Sequence, residues 1–592
     1  MSSSYTRLFR VLFVIVLLKL IFLVILYWRS YEGGAARLQS RAQAQARHRV
    51  DIFDQLLVDR REMPSMEQRL RWIRQELPSF PLEELLQRPN PPAQPPANGT
   101  KRPAGRLDCG LAPDLMNIDF HNTYWQRAQA GNLTYYIYGA YYDDREAVPE
   151  APLVRLLAMI NQHMDASFQY PATHCQFWLQ GRVQPLTVPV TEHKVMWPFG
   201  QAPRRYYPTL MGCRLPEGRH RWQVPQMVSL VANACDRARN LLRVVYEESQ
   251  SGNGSTAATP TPSGEEEEPK EAEAEAPALR FAVCVKAMDF PYEDKSWRLI
   301  EWLELMRALG AHKVVFYDAQ MHPNMTRVVR DYVARSPGFV ELRPMSLGRG
   351  EPHAQPHFHH YAMAADGFNR ILNEMIPYND CFYRNMYNYD YIGVFDIDEV
   401  IMPLGNRTTW PQLIEISRAA PDYGGMTPAS CKEWVSFCYR NVYYPRYPER
   451  PKVYGNLSSS FYMLQHVERV REHCGRGAAT KCLHDTRFAV GLHNHFTFYH
   501  TEAASCAAKS VPIEFAQMQH YREPDTKSLL IDPVIDASIW RYQPQLQAQV
   551  EQRYRRLGFL PDERQLAATL ERRRLEDESL LREAVGDQTR PQ

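Results

Sequence analysis

The chain has 592 residues, of which 44% are hydrophobic and 11% are aromatic. These contents suffice for two or three domains with packed cores, and they exclude a disordered or fibrous protein. The 69 basic residues nearly balance the 67 acidic residues and are spread along the chain. Charge therefore gives no argument for nucleic-acid binding, and no nucleic-acid partner is expected.

The segment from Leu8 to Trp28 is 21 residues long and almost entirely apolar. About 20 apolar residues span the hydrocarbon core of a bilayer. The segment therefore predicts a transmembrane signal anchor over residues 8–28, after a cytosolic tail of residues 1–7. The alternative is a cleaved signal peptide, which is disfavoured because the apolar run is too long and lacks a clean A-x-A cleavage site.

Two conflicting signals bear on which side of the membrane the rest of the chain lies. Arginines are more frequent after the anchor than before it, which by the positive-inside rule places the bulk in the cytosol. Eleven cysteines and six N-x-Ser/Thr sequences indicate an oxidising lumen instead; the six asparagines are Asn98, Asn132, Asn253, Asn324, Asn406 and Asn456. Because large domains cross membranes largely regardless of flanking charge, we expect a single-pass type II protein with a luminal bulk.

Composition changes several times after the anchor. Residues 29–105 are polar and then Pro-rich, which predicts a stem without a core of its own. Residues 106–248 contain short aromatic and β-branched runs such as "LTYYIYGAYYDD", which predict a smaller β-rich domain. Residues 249–277 include "GEEEEPKEAEAEA" and are expected to form a disordered acidic linker; the alternative is a binding segment for a basic partner.

Residues 278–541 show strands alternating with helices. The strands are "RFAVCVKAM", "KVVFYDA", "FVELRPM" and "YIGVF", and the helices are "WRLIEWLELMRALG", "NMTRVVRDYVARSPG" and "YAMAADGFNRILNEMI". This alternation predicts an α/β domain with a mostly parallel sheet covered by helices on both faces. Residues 542–592 are polar and helical in pattern, and they predict a surface helix pair or a frayed tail.

Three carboxylates, Asp396, Asp398 and Glu399, follow the fourth of these strands. In an extended strand, residues two apart point to the same face, so Asp396 and Asp398 are expected to converge beyond the sheet edge. Ligands bind at the carboxyl ends of parallel strands. Two close carboxylates repel each other, and a divalent cation such as Mn²⁺ or Mg²⁺ removes that conflict. The pattern predicts a metal–diphosphate site, and a polar turn whose acids cap the next element is the alternative.

The run "NEMIPYNDCFYRNMYNYDYIGVFDIDEVIMP" resembles the signature of glycosyltransferase family 92 (formerly the DUF23 family), especially its invertebrate members. Further similar segments are "FAVCVKAMDFPYED", "RLIEWLELMRALGAHKVVFY" and "RNVYY", and the resemblance covers roughly residues 104–532. One segment departs from the family pattern: "LGRGEPHAQPHFHH" replaces a Gly/Pro-rich stretch, which affects acceptor or loop details.

The resemblance implies a type II Golgi membrane protein with a GT-A-like, Rossmann-type domain. Its members of known activity imply an inverting hexosyltransferase that uses Mn²⁺ (or Mg²⁺) and a UDP-sugar, with UDP-galactose favoured, on a glycan or glycoprotein acceptor. Asp396 and Asp398 match the family's Asp-x-Asp, and Lys452 matches a basic position after the acceptor-side segment. Lys286 and Asp289 lie where a uridine pocket is expected, with ordinary strand-end polar residues as the alternative.

Histidines and cysteines late in the domain give further expectations. His493 and His495 alternate in "LHNHF" and are the favoured additional metal ligands, with backbone-bonded strand histidines as the alternative. A Cys474–Cys482 disulfide is expected, rather than a zinc site with His473 and His484, and Cys431–Cys438 is a second candidate pair. The histidine-rich run from His353 to Tyr361 is expected to be a polar surface loop.

An inverting transfer needs a carboxylate that takes the proton of the acceptor hydroxyl. Glu433 is the first candidate, because Trp434 beside it can stack on a sugar, and Asp485 is the second; an ordinary surface ion pair is the alternative for Glu433. A catalytically inactive glycan-binding or scaffold relative is the main competing function. A nucleotidyl- or phosphotransferase shares the same metal–phosphate chemistry.

Overall fold

A computed structural model describes twelve stretches of the chain. They are residues 65–88, 111–162, 169–197, 205–247, 278–348, 356–420, 431–446, 461–502, 504–524, 526–560, 571–572 and 575. The predicted tail, anchor and acidic linker lie outside the described residues, as do Lys452, Asn98, Asn253 and Asn456. Within the described part, no helix has the length and apolar character needed to cross a membrane.

Two short helices lie in the predicted stem: α1 (Met66–Glu76) and α2 (Leu82–Leu86). No side chain of α1 is buried. The chain after α1 is not a free spacer, however, because Phe80 is buried and Leu85 packs against a small cluster of Trp178, Met227 and Leu241. These contacts are made with the following β-rich domain, so the structured part of the chain begins before the predicted boundary at residue 106.

The β-rich domain contains nine strands in one sheet. Its strands β1–β9 are Gln126–Ala130, Leu133–Asp143, Leu153–Ile160, His174–Trp178, Leu186–Pro189, Glu192–Val195, Tyr207–Arg214, Met227–Val231 and Leu242–Val245. The two central strands, β2 and β3, are buried on both faces, which explains their nearly continuous aromatic and β-branched sequence. The expectation of a β-rich domain in this region is confirmed.

The second domain is a layered α/β structure. Its strands β10–β23 are Phe281–Phe290, Lys313–Met321, Val340–Pro344, Tyr391–Phe395, Glu399–Pro403, Ser436–Tyr439, Asn441–Pro445, Glu468–Arg469, Lys481–Asp485, Ala489–Leu492, Thr497–His500, Lys509–Ser510, Ala516–Arg522 and Val534–Ile535. Its helices α3–α8 are Ser296–Leu309, Pro323–Arg335, Pro356–Ala365, Gly367–Asn385, Trp410–Ala419 and Gln543–Arg556. Short 3₁₀ turns complete the described elements, at Leu115–Asn117, Lys527–Leu530 and Ser538–Tyr542.

The main sheet of this domain has the strand order β12-β11-β10-β13-β18-β15-β21. Pairing is parallel from β12 to β13, and β18 is antiparallel to both of its neighbours. Alternate residues of β10 face opposite cores: Ala282 and Cys284 lie in one apolar cluster, and Val283 and Val285 lie in the other. Helix α6 covers the first face, whereas α3, α4, α7 and α8 cover the second.

The first of these cores is shared with the β-rich domain. Trp125, Tyr138 and Met159 of that domain belong to the same buried cluster as Cys284 and Met375. The α6 face of the parallel sheet is therefore covered by α6, with Met363 of α5, and by the β-rich domain together.

One local helix prediction agrees with the structure, and two others differ from it. Helix α3 ends where expected, because Gly310 adopts a left-handed conformation (φ 105°) and its amide closes the last turn. The single helix predicted after the third strand is two helices, because the Asp366 side chain accepts the Asn369 amide and caps α6. The described part of the histidine-rich run is helix α5, not a loop.

The C-terminal helix is also integrated into the domain. In α8, Leu546, Val550 and Tyr554 are buried in the second core, and Arg553 pairs with the buried Glu304 at 2.6 Å. Residues 543–556 therefore form a surface helix that packs on the second core through its buried residues, and they are not a frayed tail. The sequence of this helix is mostly polar, but it contains a narrow apolar stripe, and such a stripe is enough for a helix to pack on one side.

Candidate active site

The carboxylates after β13 lie in a turn. The amide of Glu399 donates to the carbonyl of Asp396 at 3.1 Å, and β14 begins at Glu399. The expected extended strand is therefore wrong at this point, and the turn, not strand alternation, brings Asp396 and Asp398 to one edge of the sheet. Parallel strands end at this edge, which is where the prediction placed them.

Glu399 holds this turn together. Its Oε2 accepts the amide of Asp396 at 2.8 Å and also contacts Lys481 Nζ at 2.8 Å. Both side chains of the Glu399–Lys481 pair are almost fully buried. Lys481 is the first residue of β18, and because β18 is antiparallel to β13, its first residue reaches the end of β13. Glu399 thus fixes the conformation of the Asp-x-Asp turn through contacts on its buried side.

Three further side chains surround the two aspartates. Lys286, on β10, lies 3.0 Å from Asp396 Oδ2 and 3.6 Å from Glu374 Oε1. Arg298, on α3, lies 3.4 Å from Asp398, and His520 Nε2, on β22, lies 3.9 Å from it. The four carboxylates, counting Glu374 and Glu399, face the cations Lys286, Arg298 and Lys481, which leaves one negative charge when His520 is neutral. The aspartates are therefore not the uncompensated pair that the sequence argument assumed.

Neighbouring cations stabilise the charges of the two aspartates to different extents. Burial raises the pKa of Asp396, but Lys286 and Lys481 outweigh it and hold that pKa below its usual range. Burial raises the pKa of Asp398 above its ordinary value; His520 opposes this shift, and Asp396 and Glu399 add to it. Burial likewise raises the pKa of Glu374, against the effect of Lys286. Ionised Asp398 therefore lacks full electrostatic stabilisation from the protein.

The site contains a buried polar atom that no described residue satisfies. Asp396 Oδ1 accepts no hydrogen bond, although Oδ2 is bound by Lys286. Buried carboxylate oxygens normally have a partner, which is a protein donor, an ordered water or a metal ion. A hard divalent cation fits this oxygen and the under-compensated Asp398. Within the described residues, however, no three His, Cys, Asp or Glu side chains are grouped as a metal site.

A small cavity of about 100 Å³ adjoins the turn. It shares Lys286 and Glu374 with the carboxylate cluster, and Asp289, at the end of β10, lies 3.1 Å from His360 of helix α5 in its wall. Lys286 and Asp289 thus line the same cavity, and their role in a nucleotide pocket stays a prediction. His360 is an addition that the sequence did not indicate, because the run containing it was assigned to a surface loop.

Residues 280–558 match the model of glycosyltransferase family 92. We refer to this matched region, which is just under half of the chain, as the family 92 domain. The matched region begins just before β10 and ends just after α8, so it includes every element around the carboxylate cluster. A comparison with curated proteins found no match.

In the family 92 domain, the two predicted histidine ligands differ in their hydrogen bonds. His493 Nδ1 accepts the amide of His495 at 3.2 Å, so its Nε2 carries the proton and cannot ligate a metal without breaking that bond. His495 Nδ1 lies 3.0 Å from the carbonyl of Thr480 and must donate to it, which leaves Nε2 as an acceptor. Metal-binding histidines commonly have the second arrangement, which favours His495 over His493, and both ligand assignments stay predictions.

The two candidate bases of the family 92 domain, Glu433 and Asp485, lie at the opposite end of the main sheet from the Asp-x-Asp turn. Asp485 is paired with Tyr391, the first residue of β13, whereas the Asp-x-Asp turn follows the last. Five residues of strand separate these positions by about 16 Å. Arg487 binds Asp485 at 2.8 Å and Glu433 at 2.9 Å, which makes both carboxylates members of an ion-pair cluster. The structure therefore does not bring either carboxylate to the Asp-x-Asp turn, and the identity of the catalytic base stays a prediction.

The disulfide predictions for the family 92 domain are wrong. The described disulfides in the chain join Cys175 to Cys213, Cys284 to Cys381, Cys431 to Cys506 and Cys438 to Cys482. Cys474 is a free thiol. Cys438 and Cys482 lie directly opposite each other on β15 and β18, a pairing that depends on strand register and cannot be read from spacing.

Proposed function

We propose that the family 92 domain transfers a hexose, with galactose favoured, from a UDP-sugar to a hydroxyl of a glycan or glycoprotein acceptor. The observation that carries this proposal is the Asp-x-Asp turn at the carboxyl edge of the parallel sheet, with a buried, unsatisfied carboxylate oxygen beside the Lys286-lined cavity. The sheet order supports a GT-A-type fold. Membership of the family supports a glycosyltransferase.

Asp396 Oδ1 and Asp398 would hold a Mn²⁺ or Mg²⁺ ion, and His495 has a free acceptor nitrogen for the same role. Such an ion supplies charge neutralisation for a diphosphate leaving group. Lys286 presents a second positive charge at the mouth of the cavity, where it is suited to contact a phosphate oxygen. Glu399 and Lys481 keep the turn in one conformation, so the two aspartates need not reorganise when a donor binds.

The proposed chemistry is a single displacement. The acceptor oxygen forms a bond to the anomeric carbon, the bond from that carbon to the diphosphate oxygen breaks, and UDP leaves with the electron pair. Configuration at the anomeric carbon inverts. The acceptor proton passes to a base at the Asp-x-Asp edge, because Glu433 and Asp485 are held by Arg487 at the other end of the sheet.

The cellular setting belongs to the same proposal. Three glycosylation sequences lie in described residues, at Asn132, Asn324 and Asn406. Asn132 and Asn406 are exposed. The four disulfides that join described residues support an oxidising compartment. We therefore place the domain in the lumen of the Golgi, anchored by residues 8–28 as a single-pass type II protein.

The testing experiment measures UDP release and sugar transfer with a panel of UDP-sugars, with Mn²⁺, Mg²⁺ or a chelator present. We expect turnover with one UDP-hexose, loss of turnover with the chelator, and a decrease of about 100-fold or more in kcat for Asp398→Asn. Glu433→Gln is the matched control, because that carboxylate is half-exposed and distant from the turn.

Three outcomes would contradict the proposal. No turnover with any donor would favour an inactive glycan-binding relative, for which compensation of the aspartates by Lys286 and Arg298 is the supporting observation. Detection of a transferred phosphate or nucleotidyl group by mass spectrometry would indicate the other enzyme class. Equal activity of Asp398→Asn and wild type would remove the turn from the mechanism.

A further inference from the structure

A short loop after β12 connects the cavity to the β-rich domain. Residues 345–348 are buried, and Leu347 lines the cavity together with Lys286 and Glu374. The amide of Gly348 donates to Asn373 Oδ1 at 2.8 Å, and Asn373 precedes Glu374 on α6. The position of this loop therefore affects both the wall of the cavity and the helix that carries Glu374.

Side chains of the β-rich domain bind three consecutive carbonyls of this loop. Trp125 Nε1 donates to the carbonyl of Ser346 at 2.7 Å, and Asn122 Nδ2 donates to that of Leu347 at 3.3 Å. His121 Nε2 lies 3.1 Å from the carbonyl of Gly348 and donates to it. Ser346 Oγ donates in turn to Asn122 Oδ1 at 2.7 Å. We name residues 121–125 the clamp.

Close packing between the loop and the β-rich domain leaves no room for a side chain at Gly348. A Cβ atom added to Gly348 would lie 2.9 Å from Trp125 Cη2 and 2.8 Å from Met159 Sδ, both closer than van der Waals contact permits. Trp125 itself is completely buried. The loop is therefore fixed by steric contact as well as by hydrogen bonds.

The β-rich domain also fixes helix α6 at a second point. Asp380 accepts hydrogen bonds from Tyr141 of the β-rich domain and from Tyr317 of the main sheet, the latter at 2.6 Å. Arg384, one turn later, pairs with Asp380 at 2.9 Å. Burial raises the pKa of Asp380, but Arg384 and Arg343 outweigh it, so the carboxylate stays ionised and strengthens these bonds.

We propose that the clamp is a positioning element of the donor cavity: His121, Asn122 and Trp125 set the affinity for the nucleotide donor by holding the loop 345–348. This inference rests on the proposed function. It makes the β-rich domain a part of the donor site, not an independent binding module.

The test uses the full-length chain with Trp125→Phe, which removes the N–H donor and keeps an aromatic ring. The control is Trp178→Phe, because Trp178 is an equally buried tryptophan of the same domain whose Nε1 donates to Ser229 Oγ at 3.2 Å. Asn122→Ala, at a half-buried position, is the second variant if Trp125→Phe fails to fold. Measurements are the Kd for UDP, the donor KM and kcat, and amide exchange of peptides covering 345–348.

We expect Trp125→Phe and Asn122→Ala to raise the Kd for UDP and the donor KM about five-fold, with little change in kcat, and to accelerate amide exchange in the loop. Trp178→Phe is expected to lower Tm without either effect. Unchanged Kd and KM in both clamp variants, or equal changes in Trp178→Phe, would overturn the inference. If the wild-type protein binds no UDP, the proposed function fails. If amide exchange of residues 345–348 is unchanged in the clamp variants, the clamp does not hold the loop, whatever the outcome for the proposed function.

Discussion

Replacing Lys481 with methionine tests how the Asp-x-Asp turn is supported. Lys481 is fully buried, and its Nζ lies 2.8 Å from Glu399 Oε2, whose side chain is 4% exposed. Removing the cation leaves the Glu399 carboxylate buried without its ionic partner. Breaking a buried pair in this way lowers the free energy of unfolding by about 3–5 kcal/mol.

A double-mutant cycle isolates this pair from general packing effects. Urea unfolding is measured for wild type, Lys481→Met, Glu399→Gln and the double variant. We expect the double variant to be more stable than the sum of the single changes predicts, because Glu399→Gln removes the unpaired charge.

Lys313→Met is the matched control, because Lys313 pairs with Glu341 at 2.6 Å but both side chains are partly exposed. That change is expected to lower the free energy of unfolding by at most about 1 kcal/mol. Additive single changes, or a Lys481→Met effect no larger than that of the control, would refute the account of the turn.

Three other predictions concern the remaining parts of the structure. Glu433→Gln is expected to retain kcat within about two-fold, because its carboxylate only pairs with Arg487; a loss of about 100-fold would restore it as the base. Iodoacetamide without reductant should modify Cys474 and spare the eight cysteines of the described disulfides, as peptide mapping would show. Burial lowers the pKa of His484 to about 3 and that of His493 to about 4, from 6.5. The unfolded chain therefore binds more protons below pH 6.5, so Tm should fall from pH 6.5 towards 4, and His484→Gln should flatten that decrease; a Tm independent of pH in this range would contradict it.

Sequence periodicity predicted the α/β domain well because its signals are local. The strand at Phe281–Phe290 and the helix at Ser296–Leu309 follow from apolar runs and from the stop at Gly310. The acidic turn was placed at the correct edge of the sheet because strand–helix alternation fixes strand direction.

The surroundings of the turn could not be predicted because they depend on distant pairings. Lys481 and His520 reach Glu399 only through antiparallel strands whose register is not written in local sequence. The same register joins Cys438 to Cys482 and puts Asp485 at the far end of β13. The types of side chain indicated the chemistry of the site, whereas the pairing of the strands decided which residues lie together in it.

The contribution of the β-rich domain was also invisible in the sequence. Its aromatic runs predicted a separate domain, yet Trp125 and Tyr141 reach the loop and the helix beside the candidate site. An amphipathic pattern indicates that a surface is buried, but it does not indicate against which element.

Calorimetric titration of UDP into the full-length protein, with Mn²⁺ and with a chelator, tests the central claim most directly. We expect one UDP site per chain that depends on Mn²⁺, with affinity reduced at least about ten-fold in Asp398→Asn and unchanged in Glu433→Gln. Binding of UDP that is equally strong with the chelator, or equally strong in Asp398→Asn, would contradict the assignment of the Asp-x-Asp turn as a metal–nucleotide site.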